Sequence, residues 1–262
     1  MENKVVMILV DGMRPDGLMQ SGSEFALQFA ETSLADFCAR TVMPSVTLPC
    51  HMSLFHSVPP ERHGVTTNIF TPMVRPVEGL FEQLDRYGKK CAFFNTWEEL
   101  RDISLPDHIS MQICINQHKY TNTDVMISEF ALSYIRDEKP DFSFIYLGET
   151  DECGHAKGWM SPEYLERIHN AWDCIERICD GLPEGYTVIV LADHGGHDRA
   201  HGTDKPTDMT IPVMLNGPAF DPEMPVKGSA EGGHISILDV APTIAALLGV
   251  PAPKDWEGVS LI

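Results

Sequence analysis

Six short apolar runs recur along this chain, and helical patterns fill most of the gaps between them. The runs are Val5–Val10, Cys91–Phe94, Met111–Ile115, Phe142–Leu147, Thr187–Leu191 and Ile211–Leu215. Runs this short and this continuous read as strands buried on both faces, where neither side meets water and polar alternation disappears. Val77–Tyr87 instead has helical spacing, with Val77, Leu80, Phe81 and Leu84 on one stripe and Gly88 as its stop. Asp124–Glu138 repeats that pattern through Val125, Ile127, Phe130, Leu132 and Ile135. Ser161-Pro162-Glu163 reads as an N-cap, a first-turn proline and a first-turn acid, opening a helix to about Asp180. Asp239–Leu248 forms a last helix, stopped by Gly249. Such alternation implies an α/β fold: a three-layer sandwich with a mostly parallel central sheet and helices on both faces. The Pro- and Gly-rich stretches at 57–64 and 216–233 read as loops, so residues 1–262 are expected to form a single domain.

Composition narrows the partners. The chain carries 38 acidic against 19 basic residues, a formal charge of −19, which repels nucleic acid and anionic lipid surfaces. An anionic small substrate stays compatible if bound metal makes the site locally positive. Met1-Glu2-Asn3-Lys4 leads straight into the first strand, and that apolar run is too short for a signal segment or a membrane span. The expectation is a cytoplasmic protein. Its seven cysteines include no CxxC pair and read as reduced, mostly buried thiols.

In parallel α/β sheets, ligands bind beyond the carboxyl ends of the strands. Acids stand at that edge after three of the runs: Asp11 after Val5–Val10, Glu149 and Asp151 after Phe142–Leu147, and Asp193 with His194 after Thr187–Leu191. The last run continues into Asp193-His194-Gly195-Gly196-His197-Asp198-Arg199-Ala200-His201-Gly202. Carboxylate and imidazole are ligands for zinc-like metals, and glycines let a backbone turn tightly around them. Asp151 and His155, four residues apart, face one spot on a helical turn, with Glu149, Glu152 and Cys153 as rivals by residue type. The Thr47-Leu48-Pro49 step reads as a helix start with Thr47 near the N-cap. A hydroxyl there sits where free amides and the helix dipole attract a phosphate-like anion, and metal can activate it as a nucleophile. His197 and His234 are further candidate ligands.

Taken together, six segments resemble the alkaline phosphatase superfamily, and within it the nucleotide pyrophosphatase/phosphodiesterase branch. They are Val10-Asp11-Gly12-Met13-Arg14-Pro15-Asp16, Pro44-x-x-Thr47-x-Pro49-x-His51, Pro60-Glu61-Arg62-His63-Gly64-Val65, Asp151-x-x-Gly154-His155, Ala192-Asp193-His194-Gly195 and His201-Gly202-Thr203-Asp204. The tail Ile237-Leu238-Asp239-Val240-Ala241-Pro242-Thr243-Ile244 is similar to the family's closing helix. The resemblance implies two divalent metal sites, usually zinc with manganese as the alternative, about 4 Å apart as in two-metal phosphoryl transfer. One site would use Asp11, Asp193, His194 and the Thr47 oxygen; the other Asp151, His155 and His201. The family pattern, a histidine followed by Gly, a small polar residue and Asp, favours His201 over His197. Thr47 would be the nucleophile of a phosphothreonine intermediate, and Asn68 would hydrogen-bond a nonbridging phosphate oxygen, with Thr66 and Thr67 as rival donors. Sulfatases of the superfamily use a modified cysteine before Pro and Arg. Cys50 instead precedes His51-Met52-Ser53, which argues against sulfate esters.

The chain carries no large insertion of the kind that builds caps, which implies an open site for a small phosphate ester. Arg14, Arg62 and Lys157 are candidates for the extra positive charge that a monoester needs, and Phe70, Trp97 and Trp159 for an aromatic wall. The expected activity is hydrolysis of phosphodiester or pyrophosphate bonds in small molecules. A phosphomonoesterase or phosphotransferase of the same superfamily, or a metal-binding protein without turnover, are the alternatives.

Overall fold

The computed structural model describes residues 3–262; Met1 and Glu2, which precede the first strand, lie outside them. Seven strands form one sheet: β1 (Lys4–Val10), β2 (Leu34–Arg40), β3 (Cys91–Asn95), β4 (Met111–Cys114), β5 (Phe142–Leu147), β6 (Tyr186–Leu191) and β7 (Thr210–Asn216). Their spatial order is β2-β7-β6-β1-β5-β3-β4. The β6–β1–β5–β3–β4 neighbours are all parallel, whereas β7 runs antiparallel to both β6 and β2. The sheet is therefore mostly parallel, with its antiparallel member next to one edge.

The central strands β1, β5 and β6 are buried almost throughout, as their unbroken apolar runs require. Helices Thr123–Glu138, Glu149–Lys157 and Pro162–Gly181 pack together on one face, with the shorter Pro15–Gln20 and Glu24–Glu31 against the last of them. Helices Thr47–His56, Leu80–Arg86 and Val240–Leu247 pack together on the other face. A cluster of rings fills that second interface: Phe55, Phe81, Phe93 and Phe144 have neighbouring centroids 4.9–6.2 Å apart.

The structure departs from the sequence expectation in several places, and the helix expected over Val77–Tyr87 spans only Leu80–Arg86. Strand β2 has no apolar run to mark it, because a register shift between Asp36 and Ala39 breaks its two-residue alternation. The stretch 57–64, expected as loop, contains a short helix, Pro60–His63. Ser161 caps the long helix as expected, its hydroxyl accepting from Tyr164 N at 3.2 Å.

Candidate active site

The carboxyl ends of β1, β5 and β6 lie side by side, in register from Val10 to Leu147 and from Leu9 to Leu191. The residues just beyond them are therefore delivered to one place. Asp11 follows β1, Asp151 lies in the first turn of the helix after β5, and Asp193 and His194 follow β6. All four are buried.

Thr47 reaches the same point from the opposite helical layer. It is the first residue of its helix, next to Val46 in the cap position, so the expected helix start near Thr47, with Pro49 in the first turn, is where the sequence puts it. Its hydroxyl is directed into the cluster, 3.1 Å from His194 Nε2. Every residue of Thr47–His56 is buried. Such a helix holds its first turn against the sheet edge, where the Leu48 amide donates to Asn68 Oδ1 at 3.0 Å and Pro49 has no amide hydrogen to place.

The ligand-type atoms separate into two groups that share one histidine. His194 Nε2 stands 3.3 Å from Asp11 Oδ1 and 3.4 Å from Asp193 Oδ2. His201 Nε2 stands 3.7 Å from Asp151 Oδ1, and His155 Nε2 3.4 Å from Asp151 Oδ2. The His194 and His201 rings stack, with centroids 3.9 Å apart and planes at 12°. Asp11–Asp193–His194 and Asp151–His194–His201 each bring their ligand atoms within 4.8 Å of one another.

Backbone carbonyls orient all three imidazoles in the same manner. Nδ1 lies 2.8 Å from Gly195 O in His194, 3.0 Å from Arg199 O in His155 and 2.9 Å from Ser45 O in His201. A carbonyl can only accept, so each Nδ1 carries the proton and each Nε2 presents its lone pair to the site. Ligating histidines are commonly supported in this way.

The chemistry of the carboxylates fits a cationic partner. Asp11 Oδ1, Asp151 Oδ1 and Asp193 Oδ2 are buried and accept no hydrogen bond. Burial, with Asp193 and Asp151 close by, raises Asp11 well above the usual carboxyl range. Burial likewise pushes Asp151 up to about 6. At Asp193 burial also acts upward, but His194 and His51 outweigh it and hold the group low. His201 is lowered to about 3 by burial and by His194, which keeps it neutral and able to ligate. Unpaired buried carboxylates carry a large desolvation cost, and divalent cations would offset it. The donor set of carboxylate oxygens and neutral imidazoles fits such cations.

Several supporting residues carried no assigned role in the sequence reading. Tyr146, on β5, donates its hydroxyl to Asp11 Oδ2. His51, one turn after Thr47, donates Nδ1–H to Thr47 O at 2.8 Å and lies 3.6 Å from Asp193 Oδ2. Gly12 has φ 68°, its amide reaches Asp193 Oδ1 at 3.2 Å, and a Cβ there would meet Asp151 Oδ1 at 3.0 Å. Both the turn and the approach of the two acids need glycine. Trp159 donates to Gly12 O at 3.0 Å and meets the His155 ring edge-on at 5.1 Å, so it is a support beneath the second group rather than a wall. The Thr-x-Pro-x-His spacing marked His51 as a motif member. A strand tyrosine such as Tyr146 has no such signature.

The remaining candidates fall elsewhere. Asn68 is exposed, and its Oδ1 accepts from Leu48 N at 3.0 Å, which brings it to the first turn beside Thr47. His197 Nδ1 pairs with buried Asp208 at 2.7 Å, and His234 with Asp36 at 3.1 Å. Glu149 is taken up by Thr123 N and Arg167, and Glu152 by Gln117. Cys50 is buried, and its thiol is pushed up by that burial. Arg14 is engaged by Asp16 and by Gly196 O at 3.0 Å, and Arg62 by Glu257 at 2.8 Å.

The sequence profile of the type I phosphodiesterase / nucleotide pyrophosphatase family matches residues 5–99 and 83–210, which include Asp11, Thr47, Asp151, His155, Asp193, His194 and His201. The chain belongs to that family. It is thereby a member of the alkaline phosphatase superfamily, whose enzymes transfer or hydrolyse phosphoesters and use divalent metals. The human GPI ethanolamine phosphate transferase 2 catalytic subunit is 25% identical over 280 residues, covering 98% of this chain and 27% of its own length. A 2,3-bisphosphoglycerate-independent phosphoglycerate mutase from Rhodopirellula baltica is 27% identical over 139 residues, 52% of this chain and 25% of that protein. The chain thus spans about a quarter of the length of these relatives. Among solved structures, murine ectonucleotide pyrophosphatase / phosphodiesterase 5, as an inactive variant in complex with AMP, superposes with a TM-score of 0.80 at 14% identity, covering 97% of this chain and 96% of that one. A 2-O GAG sulfatase gives a TM-score of 0.77 at 15% identity over 100% and 73% of the two chains. These likenesses show an alkaline phosphatase-like fold.

Proposed function

We propose that this family member is a two-metal phosphoric ester hydrolase that works through a phosphothreonine at Thr47, on phosphodiester or pyrophosphate bonds of small molecules. One observation carries the reading. Three buried carboxylate oxygens without hydrogen-bond partners stand in groups that share His194, and the hydroxyl of a residue at a helix start lies 3.1 Å from the Nε2 of that same histidine. Asp11, Asp193, His194 and the Thr47 oxygen would hold one cation, and Asp151, His155 and His201 the other. Divalent cations there, zinc by donor type, would make the Thr47 hydroxyl more acidic and spread charge from the phosphate oxygens. Thr47 Oγ1 would give up its proton to solvent and attack phosphorus, and the ester oxygen would leave with its bonding pair and take a proton from solvent. Water would then lose a proton, displace Thr47, which is reprotonated, and release the phosphate product. Asn68 would turn its amide NH₂ to a nonbridging oxygen, since its Oδ1 is engaged by Leu48 N.

Diester substrates are favoured over monoesters by how the candidate cations are engaged. Arg14 and Arg62 are held in ion pairs, which leaves Lys157, exposed on the last turn of the Asp151 helix, as the candidate for a third phosphate oxygen. Comparing rates on bis-p-nitrophenyl phosphate and p-nitrophenyl phosphate with zinc-loaded enzyme tests this. Faster diester turnover is expected, and monoester preference would overturn it.

A second reading, phosphotransfer to an alcohol, draws on the match to a named ethanolamine phosphate transferase along 98% of the chain. It keeps Thr47 and the same ligands and replaces water with a hydroxyl acceptor. Product analysis with added ethanolamine and sugar alcohols separates the two: free phosphate product alone supports hydrolysis, and a new ester supports transfer.

A further inference from the structure

Edge strand β2 carries a cluster that the phosphoester chemistry does not use. Asp36, Cys38 and His234 bring one carboxylate oxygen, one thiol sulfur and one imidazole nitrogen within 4.8 Å of one another. Asp36 and Cys38 are two residues apart, at the register shift where β2 slips against β7. His234 comes from a segment 198 residues away and places Nδ1 3.1 and 3.2 Å from the two Asp36 oxygens.

The local backbone builds this convergence. Asp36 is buried, and its oxygens receive the Cys38 and Ile235 amides, each at 2.8 Å. Ile235 O in turn accepts from Arg40 N at 2.8 Å, so residues 234–236 run along β2 as an added rung on the edge of the sheet. The carboxylate is thus oriented by both segments. The Cys38 thiol is exposed and the His234 side chain is 43% exposed, which leaves a path for an ion from solvent.

We propose that Asp36, Cys38 and His234 form a separate binding site for a thiophilic divalent cation of the zinc type. Thiolate, imidazole and carboxylate together are a zinc donor set, and three protein ligands leave a fourth position for water. Binding would release the Cys38 thiol proton to solvent and move the His234 ring proton from Nδ1 to Nε2, which converts the His234–Asp36 contact into shared coordination. The ion would clip the segment that ends in Ile237 onto the outermost strand, where a sheet edge otherwise needs cover.

This site is spectroscopically separable from the catalytic one, whose proposed ligands contain no sulfur. Cobalt(II) titrated into the full chain is expected to give the near-ultraviolet thiolate-to-cobalt charge-transfer band. That band should be lost in Cys38→Ser and should need at least ~10-fold more cobalt in His234→Ala. Phosphoester turnover by zinc-loaded Cys38→Ser should stay within about twofold of the parent, since no catalytic ligand changes. Absence of the band in the parent chain, or its persistence in Cys38→Ser, would overturn the proposal.

Discussion

The two halves of the catalytic cluster are built differently. Asp11, Asp193 and His194 sit at the ends of central strands with side chains almost fully shielded from solvent. Asp151 and His155 share one helical turn, and His155 is 44% exposed; His201 comes from a loop. The first half is therefore rigid and dry, the second more open. A rigid dry site gains most from a cation and suffers most without one. An open site exchanges its ion and its oxygen ligands more readily, which suits the side where a leaving group departs and water enters.

The largest expected effect separates chemistry from metal binding. Thr47→Ala should retain both metals and lose turnover by at least ~10³-fold, because removing a nucleophile leaves only binding and electrostatics. Metal analysis beside the rate measurement checks this, and full activity would remove Thr47 from the mechanism.

Next come the halves themselves. Asp193→Ala should abolish tight binding of one metal together with activity, whereas His155→Ala should weaken one metal by roughly 10–100-fold and be rescued by added zinc. Equal losses in metal content for the two variants would break the contrast.

Acidity sharpens the same comparison. With metal chelated, Asp151 is raised to about 6 and Asp11 is also raised, both chiefly by burial. A carboxyl whose folded value exceeds its unfolded one loses stability as pH climbs between the two. The chelated protein should therefore melt at falling temperatures from about pH 4 to 6, Asp151 alone accounting for roughly 3 kcal/mol. Bound cations favour the ionised carboxylates, so the metal-loaded protein should show a shallower decline; Asp124, which burial raises to about 8 and which no cation would touch, contributes equally to both curves. Parallel melting curves of chelated and loaded protein test this.

The smallest effects concern neighbours. Asn68→Ala should lower kcat by ~10-fold or more with unchanged metal content. His197→Ala should leave metal stoichiometry intact and reduce stability by about 1 kcal/mol through loss of its bond to Asp208. Loss of one metal in His197→Ala would exchange its role with that of His201.

Much of this architecture was legible because its causes are local. Unbroken apolar runs marked the central strands, and acids placed directly after them had to meet at one edge of a parallel sheet. Strand β2 is not legible in the sequence because its slip near Asp36 destroys the alternation that betrays a half-buried strand. The helix start at Thr47 was legible from the Thr-x-Pro step, but tertiary packing decides that its hydroxyl points to His194. The carbonyls of Ser45, Gly195 and Arg199 that set the histidine tautomers are backbone atoms, so no residue type announces them.

The central claim is that phosphorus passes through Thr47. Hydrolysis of a diester made chiral at phosphorus by sulfur and oxygen isotope substitution tests it directly. Two successive in-line displacements, one by Thr47 and one by water, predict net retention of configuration. Net inversion would mean that water attacks the substrate itself, and would contradict the account.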